Sequence, residues 1–469
     1  MTELLKAQQL AVPGIVRPLS FTLTAGRPLT LLGETGSGKS LIAQAIMGNL
    51  PAGLQARGRL WLRGEELSGL APAARRRLWG RKLAMLPQEP WLALDPTMKA
   101  VEQVAEGYRY LANKDWPQAR QLAGEDLNRL GLGHALDRLP GQLSGGMMQR
   151  LAFAAASTGG ADIVIADEPT KGLDAGSRDQ VTGLLRQVAE AGGGLLTITH
   201  DIAVARQLGG EVMIVRNGEV LESGPAEEVL KAPVSDYGRA LLAAEPDAWP
   251  ALAPAGPGAR VLKVAGLAKS RGGLSLFSDV SFELNAGEIM GVVGPSGCGK
   301  STLGSICLGV LEPDAGTVWR DASLPRTRYQ KLYQDPPAAF APYCSLGQSL
   351  RDLVRLHKKD WAEVQRLLPR LGLSADLLER LPREVSGGEL QRLAILRILL
   401  LEPVLLFADE PTSRLDLVTQ QQTIKLLTDL ARERGCALLL VSHEAALVNK
   451  VADRVLTLGE STATTSGAA

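Results

Sequence analysis

Short apolar runs that stop at a glycine or a polar residue recur along this chain. PLTLLG (28–33), ADIVIADE (161–168) and GLLTITH (194–200) occupy the first half; IMGVVG (289–294), PVLLFADE (403–410) and ALLLVSH (437–443) occupy the second. Each is of strand length and apolar at consecutive positions rather than at every second one. That pattern predicts strands buried on both faces, as in a parallel sheet flanked by helices. AMLPQEPWLALDP (84–96) predicts a further short strand that ends at Gln88 and enters a proline-punctuated loop. Helical stretches lie between the runs: LIAQAIMG after the first, then MKAVEQVAEGYRYL and ARQLAGEDLNRLGL within residues 97–142. The expected class is α/β.

The halves are an internal repeat. LSGGMMQR followed by ADIVIADEPT returns as VSGGELQR followed by PVLLFADEPT, with Ser144 and Ser386, and Glu168 and Glu410, each 242 residues apart. The separation is 246 at Gln88 and Gln334 and 261 at Lys39 and Lys300, so the second copy lacks 15 residues of peripheral β-structure between those points. We expect a first domain over 1–245, a second over 261–459, and a Pro/Ala-rich linker over 246–260 whose composition is too poor to pack. The tail 460–469, ESTATTSGAA, reads as disordered.

The ends of the runs carry the chemistry. Gly33-x4-Gly38-Lys39-Ser40 is a phosphate loop between strand and helix; with Gly36 and Ser37 its bare backbone amides can close around a β-phosphate. Its counterpart comprises Gly294, Gly297, Cys298, Gly299, Lys300 and Ser301. The lysines neutralise phosphate oxygens, and Ser40 and Ser301 can ligate Mg²⁺. Asp167 and Asp409 are placed to hold that ion, and Glu168 and Glu410 to orient or deprotonate a water for phosphoryl transfer. Gln88 and Gln334 can reach both metal and water, while His200 and His443 suit a γ-phosphate. Ser144-Gly145-Gly146 and Ser386-Gly387-Gly388 each offer a hydroxyl and bare amides to an anion at a helix start.

Composition narrows the field. A net charge of +1 with 22% charged residues is no nucleic-acid footprint, and the group Arg75, Arg76, Arg77, Arg81, Lys82 reads as a solvated face. Four cysteines without CxxC spacing argue for a reducing compartment and against a zinc or iron–sulfur site. The start MTELLKAQQL is unlike a signal peptide, and no apolar run reaches the ~18 residues of a membrane span. No aromatic occurs in the first 20 residues, so an adenine base would lack a stacking partner there.

On these motifs the chain resembles the ATP-binding cassette (ABC) ATPases over nearly its whole length. The resemblance implies two tandem P-loop NTPase domains of ABC type. Each would have a RecA-like parallel-sheet core, an antiparallel β subdomain and an α-helical signature subdomain. It further implies ATP and Mg²⁺, and head-to-tail pairing of the halves within the chain. In that pairing each phosphate loop faces the other half's Ser-Gly-Gly. QEPWLALDP, QDPPAAFAP and VSDYGRALLAA are similar to segments of the peptide and nickel importers. SGGMMQR and SGGELQR resemble the signatures of the two separate nickel-importer ATPases, here in one chain. The expectation is the energy-coupling ATPase of an importer at the cytoplasmic face of the inner membrane. Its partners would be two integral-membrane permease subunits and an outer substrate-binding protein, with no nucleic acid. Nickel, a metal–chelator complex or a short peptide would be the cargo. The loops after Gln88 and Gln334, with Trp91, Leu92, Leu94 and Phe340, would receive the permeases. The alternative is a soluble tandem ABC ATPase acting on ribosomes or DNA; the short, nearly uncharged linker and the low net charge weigh against it.

Overall fold

A computed structural model describes residues 2–34, 36–295, 297–413, 415–459 and, for their backbone, 464–467. The chain forms two compact units, Met1–Ala243 and Ala244–Ala469.

In the first unit a six-stranded sheet runs, in spatial order, Glu219–Pro225, Glu211–Arg216, Leu29–Gly33, Gly194–Thr199, Ile163–Asp167, Leu83–Leu86. All neighbours are parallel except the first pair. The second unit repeats it: Tyr329–Leu332, Leu405–Asp409, Ala437–Val441, Ile289–Val293, Arg454–Thr457, Thr464–Gly467, with only the last pair antiparallel. The strand Thr464–Gly467 lies in the stretch expected to be disordered: hydrogen bonds along the edge strand Arg454–Thr457 order it despite its polar composition. The rest of that tail lies outside the described residues.

Each sheet separates two apolar cores, which is why its central strands are mostly apolar at consecutive positions. Ile163 and Ile165 pack toward the phosphate-loop helix, Val164 and Ala166 toward the helices on the other face. In the second unit Leu405 and Phe407 take the first side, Leu406 and Ala408 the second. The alternation puts Asp167 and Asp409 on the face of the phosphate-loop helix. On the other face lie Ala100–Tyr110, Trp116–Arg129 and Gly145–Ser157, mirrored by Leu346–Leu356, Trp361–Arg370 and Gly387–Leu399.

A small antiparallel sheet covers each phosphate-loop helix. It has four strands in the first unit and three in the second, where Glu65–Glu66 and the helix Pro72–Arg76 have no counterpart among the described residues. That helix corrects the solvated-face reading for one member of the basic group: Arg75 is 6% exposed, while Arg76, Arg77, Arg81 and Lys82 are exposed as expected. The Arg75 guanidinium donates to the carbonyls of Ala45, Ile46 and Leu67 at 2.6–3.2 Å, capping the end of the phosphate-loop helix.

The segment 246–260 is also not the unpacked linker that its composition predicts. Trp249 is buried in the second unit's core and donates from Nε1 to Ala244 O (3.0 Å). Leu252 N bonds Lys450 O at 2.8 Å, Ala255 N bonds Asp453 Oδ1 at 2.7 Å, and Arg432 donates to Ala253 O at 3.1 Å. Proline removes donors but leaves carbonyls to be used, and one indole supplies the apolar anchor.

Candidate functional site

Four adjacent parallel strands deliver the site. The phosphate loop follows Leu29–Gly33, His200 follows Gly194–Thr199, Asp167 ends Ile163–Asp167 and Glu168 follows it, and Gln88 lies just beyond Leu83–Leu86. All leave the carboxyl edge of the sheet, where such sheets bind ligands. Gly38 caps the helix Lys39–Met47 in a left-handed conformation (φ 84°), and a Cβ there would lie 2.7 Å from Val16. Only glycine fits that turn. Lys39 Nζ donates to Gly33 O (2.8 Å), Glu34 O (2.6 Å) and Ser37 Oγ (3.3 Å), while Lys300 Nζ donates to Gly294 O (2.8 Å) and Pro295 O (3.0 Å). Both ammoniums lie across their own loops on carbonyls that a phosphate oxygen, fully charged, can outcompete. Ile15, Gly36, Gly38, Lys39, Ser40, Gln88, Glu168 and Lys171 border one cavity of about 240 Å³.

The carboxylates are held under constraint. Glu168 and Glu410 both sit at positive φ, 47° and 46°, which a non-glycine residue rarely adopts. Each backbone N–H donates to the neighbouring strand, at Ile198 O (2.8 Å) and Val441 O (3.0 Å), so the turn is pinned. His200 Nδ1 lies 2.8 Å from Glu168 Oε2. Burial disfavours charge on both groups, but their mutual attraction outweighs it: the pKa of Glu168 is lowered and that of His200 raised. In the second unit Gln334 Nε2 donates to Glu410 Oε2 at 2.9 Å, and His443 Nδ1 stands at 3.7 Å.

Asp167 is buried, and burial pushes its pKa up to about 6 against the hydrogen bond from Ser40. Its Oδ1 has no hydrogen-bond partner. Asp409 Oδ1 accepts from Ser301 Oγ at 2.9 Å, and its Oδ2 lies 3.0 Å from Lys331 Nζ.

Residues 16–171 and 277–413 match the family described as ABC transporter. The chain belongs to that family. It is 35% identical to the glutathione import ATP-binding protein GsiA of Escherichia coli K12 and to that of Shigella flexneri, over 94% of this chain and 81% of each relative. Two solved structures share the fold at 22% identity. The archaeal ribosome recycling factor aABCE1, in complex with the stalk protein aP1, has a TM-score of 0.68 over 98% of this chain and 89% of that one. An RNase-L inhibitor has 0.66 over 97% and 89%.

As an ABC transporter ATPase the protein hydrolyses ATP with Mg²⁺, and its residues fit the ion. An orphaned, buried Asp167 oxygen beside the Ser40 hydroxyl is a hard oxygen donor set. No group of three or more His, Cys, Asp or Glu converges among the described residues, so the remaining ligands would be Gln88, which borders the same cavity, together with water and phosphate. Mg²⁺ there would neutralise charge on the β/γ-phosphates. Glu168 has its backbone at positive φ and His200 2.8 Å from its carboxylate, an arrangement that could hold an attacking water.

Ser144 and Ser386 do not belong to the phosphate-loop sites of their own units. Ser144 accepts from Met147 N and Ser386 from Glu389 N (both 3.3 Å), each capping its helix, and Ser386 Oγ also donates to Glu389 (2.7 Å). Of the four residues expected at the permease groove, Trp91 and Leu92 are 52% and 75% exposed. Leu94 and Phe340 are buried core instead, each folded under the short helical turn that precedes it. Three site residues escape the motifs. Lys171 could have been found three positions after Glu168. Ile15 fills the place where an aromatic was sought, and Lys331 lies inside a strand.

Proposed function

We propose that this ABC transporter ATPase powers import through a membrane permease, and that its cargo is glutathione or a similar short peptide. The observation that carries the reading is the 35% identity, over 94% of the chain, to a glutathione import ATP-binding protein. The constellation of Lys, Asp-Glu, Gln and His in each unit adds to it. A ribosome-directed role has only fold likeness at 22% identity behind it. Nickel and metal–chelator complexes, suggested by resemblance of the signatures and of the segments QEPWLALDP, QDPPAAFAP and VSDYGRALLAA, rank below the peptide.

Each ATP would bind between one unit's phosphate loop and the other unit's Ser-Gly-Gly. In support, Ser144, Gly145, Ser386 and Gly387 are exposed at their helix starts, and Ser144 is not among the residues that line the first phosphate-loop cavity. ATP would draw the halves together and hydrolysis release them. Permeases would dock beside the Gln88 and Gln334 loops at the cytoplasmic face. No helix among the described residues is long and apolar enough to cross a membrane. The grooves beside the two edge strands differ. One of about 310 Å³ is lined by Met47, Trp79, Met85 and Leu111, the other of about 520 Å³ includes Arg326, Gln330 and Arg397. That difference supports two unlike permease subunits.

The test is co-purification with its permeases, followed by ATPase assays with a binding protein loaded with glutathione, a dipeptide or nickel. Stimulation by glutathione alone is expected, and stimulation only by nickel would overturn the peptide reading. Trp91→Asp should abolish transport while the isolated chain keeps ATPase within about twofold, since an exposed apolar side chain serves an interface rather than the core. Loss of the isolated activity would give Trp91 an internal role instead.

A further inference from the structure

We propose that Lys331 is a built-in counter-ion to Asp409 which makes the second ATP site bind its divalent metal more weakly than the first. The proposal rests on the reading of Asp167 and Asp409 as the metal-holding carboxylates. In the sheet, Lys331 is paired with Phe407, and Asp409 follows two residues on, so all three side chains share one face. Lys331 Nζ lies 3.0 Å from Asp409 Oδ2, over the rings of Phe407 (5.2 Å) and Tyr333 (5.4 Å). The side chains are 23% and 10% exposed, so water screens the pair poorly. With Ser301 on Oδ1, both oxygens of Asp409 are engaged, one of them by a full positive charge.

Among the described residues the first unit carries no lysine at the matching strand position; the cations that act on Asp167 are Lys39 and Lys171, at the loops rather than within the sheet. The matching strand position is Met85, and Asp167 Oδ1 is without a partner. A divalent ion at Asp167 meets an orphaned oxygen, whereas one at Asp409 must compete with an ammonium and then tolerate it nearby. Repulsion at such range in a half-buried site corresponds to roughly a tenfold loss of affinity after relaxation. As free Mg²⁺ falls, the second site loses its metal first, and the chain is left with one loaded site.

The test uses the full chain, a non-hydrolysable ATP analogue, and Mn²⁺ as probe, with free Mn²⁺ counted by electron paramagnetic resonance. Two Mn²⁺ per chain are expected, with Kd values about tenfold apart. Lys331→Met should tighten the weaker class to match the stronger, and Met85→Lys should weaken the stronger. Removing one partner of a buried pair strands the other, so Lys331→Gln, which keeps a neutral donor, is read in parallel. Asp409→Asn should abolish the weaker class. If it leaves both classes intact, the reading of Asp409 as metal-holding fails. If it abolishes the weaker class while Lys331→Met and Lys331→Gln leave that affinity unchanged or lower, Lys331 only positions the carboxylate and the proposal is overturned.

Discussion

In the first unit Glu168 leans on His200, 2.8 Å away, with Lys171 at the edge of the cavity. In the second, Glu410 takes its hydrogen bond from Gln334 and His443 stands off at 3.7 Å. Ser413, at the position of Lys171, is within 3.4 Å of Gln334. The ordered motifs are the same, but residues outside them decide which neighbour holds the glutamate of each Asp-Glu pair and how much charge surrounds it. Two sites of equal inventory are therefore wired unequally.

The largest effect belongs to the carboxylates. Glu168→Gln or Glu410→Gln should slow phosphate release at the altered site by about 10²–10⁴-fold, the scale of a lost general base, with ATP still bound by Lys39 or Lys300. Steady-state ATPase that survives either change untouched would mean that only one site hydrolyses.

Next come the two arginines under the phosphate-loop helices. Arg75 caps three carbonyls while buried; Arg320 reaches only Ile306 O (3.1 Å) and Cys307 O (3.0 Å) and is partly exposed. Arg75→Ala should cost about 2–4 kcal/mol and Arg320→Ala about 1–2 kcal/mol, from the price of unsatisfied buried acceptors. Urea unfolding of the chain reads both. Equal losses would erase this part of the contrast.

The histidines sharpen the contrast in the sites themselves. His200→Ala should reduce turnover about tenfold more at its site than His443→Ala does, because a 2.8 Å charged contact fixes Glu168 and a 3.7 Å one only supports Glu410. The pH dependence has a definite sign. Because His200 has a raised pKa in the folded chain, its pairing stabilises fully below the ordinary histidine value and is lost as pH rises through the raised one. The Tm gap between wild type and His200→Ala should therefore close on the alkaline side, and a gap that widens there would contradict the pairing.

The smallest effect concerns the base. Ile15, 40% exposed above Gly38, offers an aliphatic patch where stacking would need a ring. ATP and GTP should be used within about tenfold of each other, and Ile15→Tyr should favour ATP by a further share of the ~1–3 kcal/mol that base stacking provides. Measured kcat/KM for both nucleotides decides it; a wild-type preference above a hundredfold would require a base-reading contact elsewhere.

What could be read from the chain was local and repeated: runs of apolar residues became the strands Ile163–Asp167 and Leu405–Asp409, and the glycine loops became helix starts. What could not be read depends on partners far along the chain. Arg75 looks like one charge in a basic cluster until a helix end 29 residues earlier accepts its hydrogen bonds. Trp249 and the carbonyl of Ala253 make a Pro-rich stretch dock because Arg432 and Lys450 lie beneath it. Thr464–Gly467 is polar in sequence and is a strand because an edge was free to pair. Lys331 carries no signal in its own strand and acquires meaning only beside Asp409.

Phe407 fills the space above the second phosphate-loop helix, where a Cβ on Gly304 would fall 2.1 Å from its ring. The same two positions in the first unit are Ile165 and Ala43, both fully buried. Bulk sits on opposite walls in the two units, so the halves are not interchangeable parts despite their repeated motifs. Gene conversion that copied the first half's helix into the second without its strand would put a methyl into an aromatic ring. Such a barrier lets twin sequences drift apart once fused, because each half is proofread by its own packing.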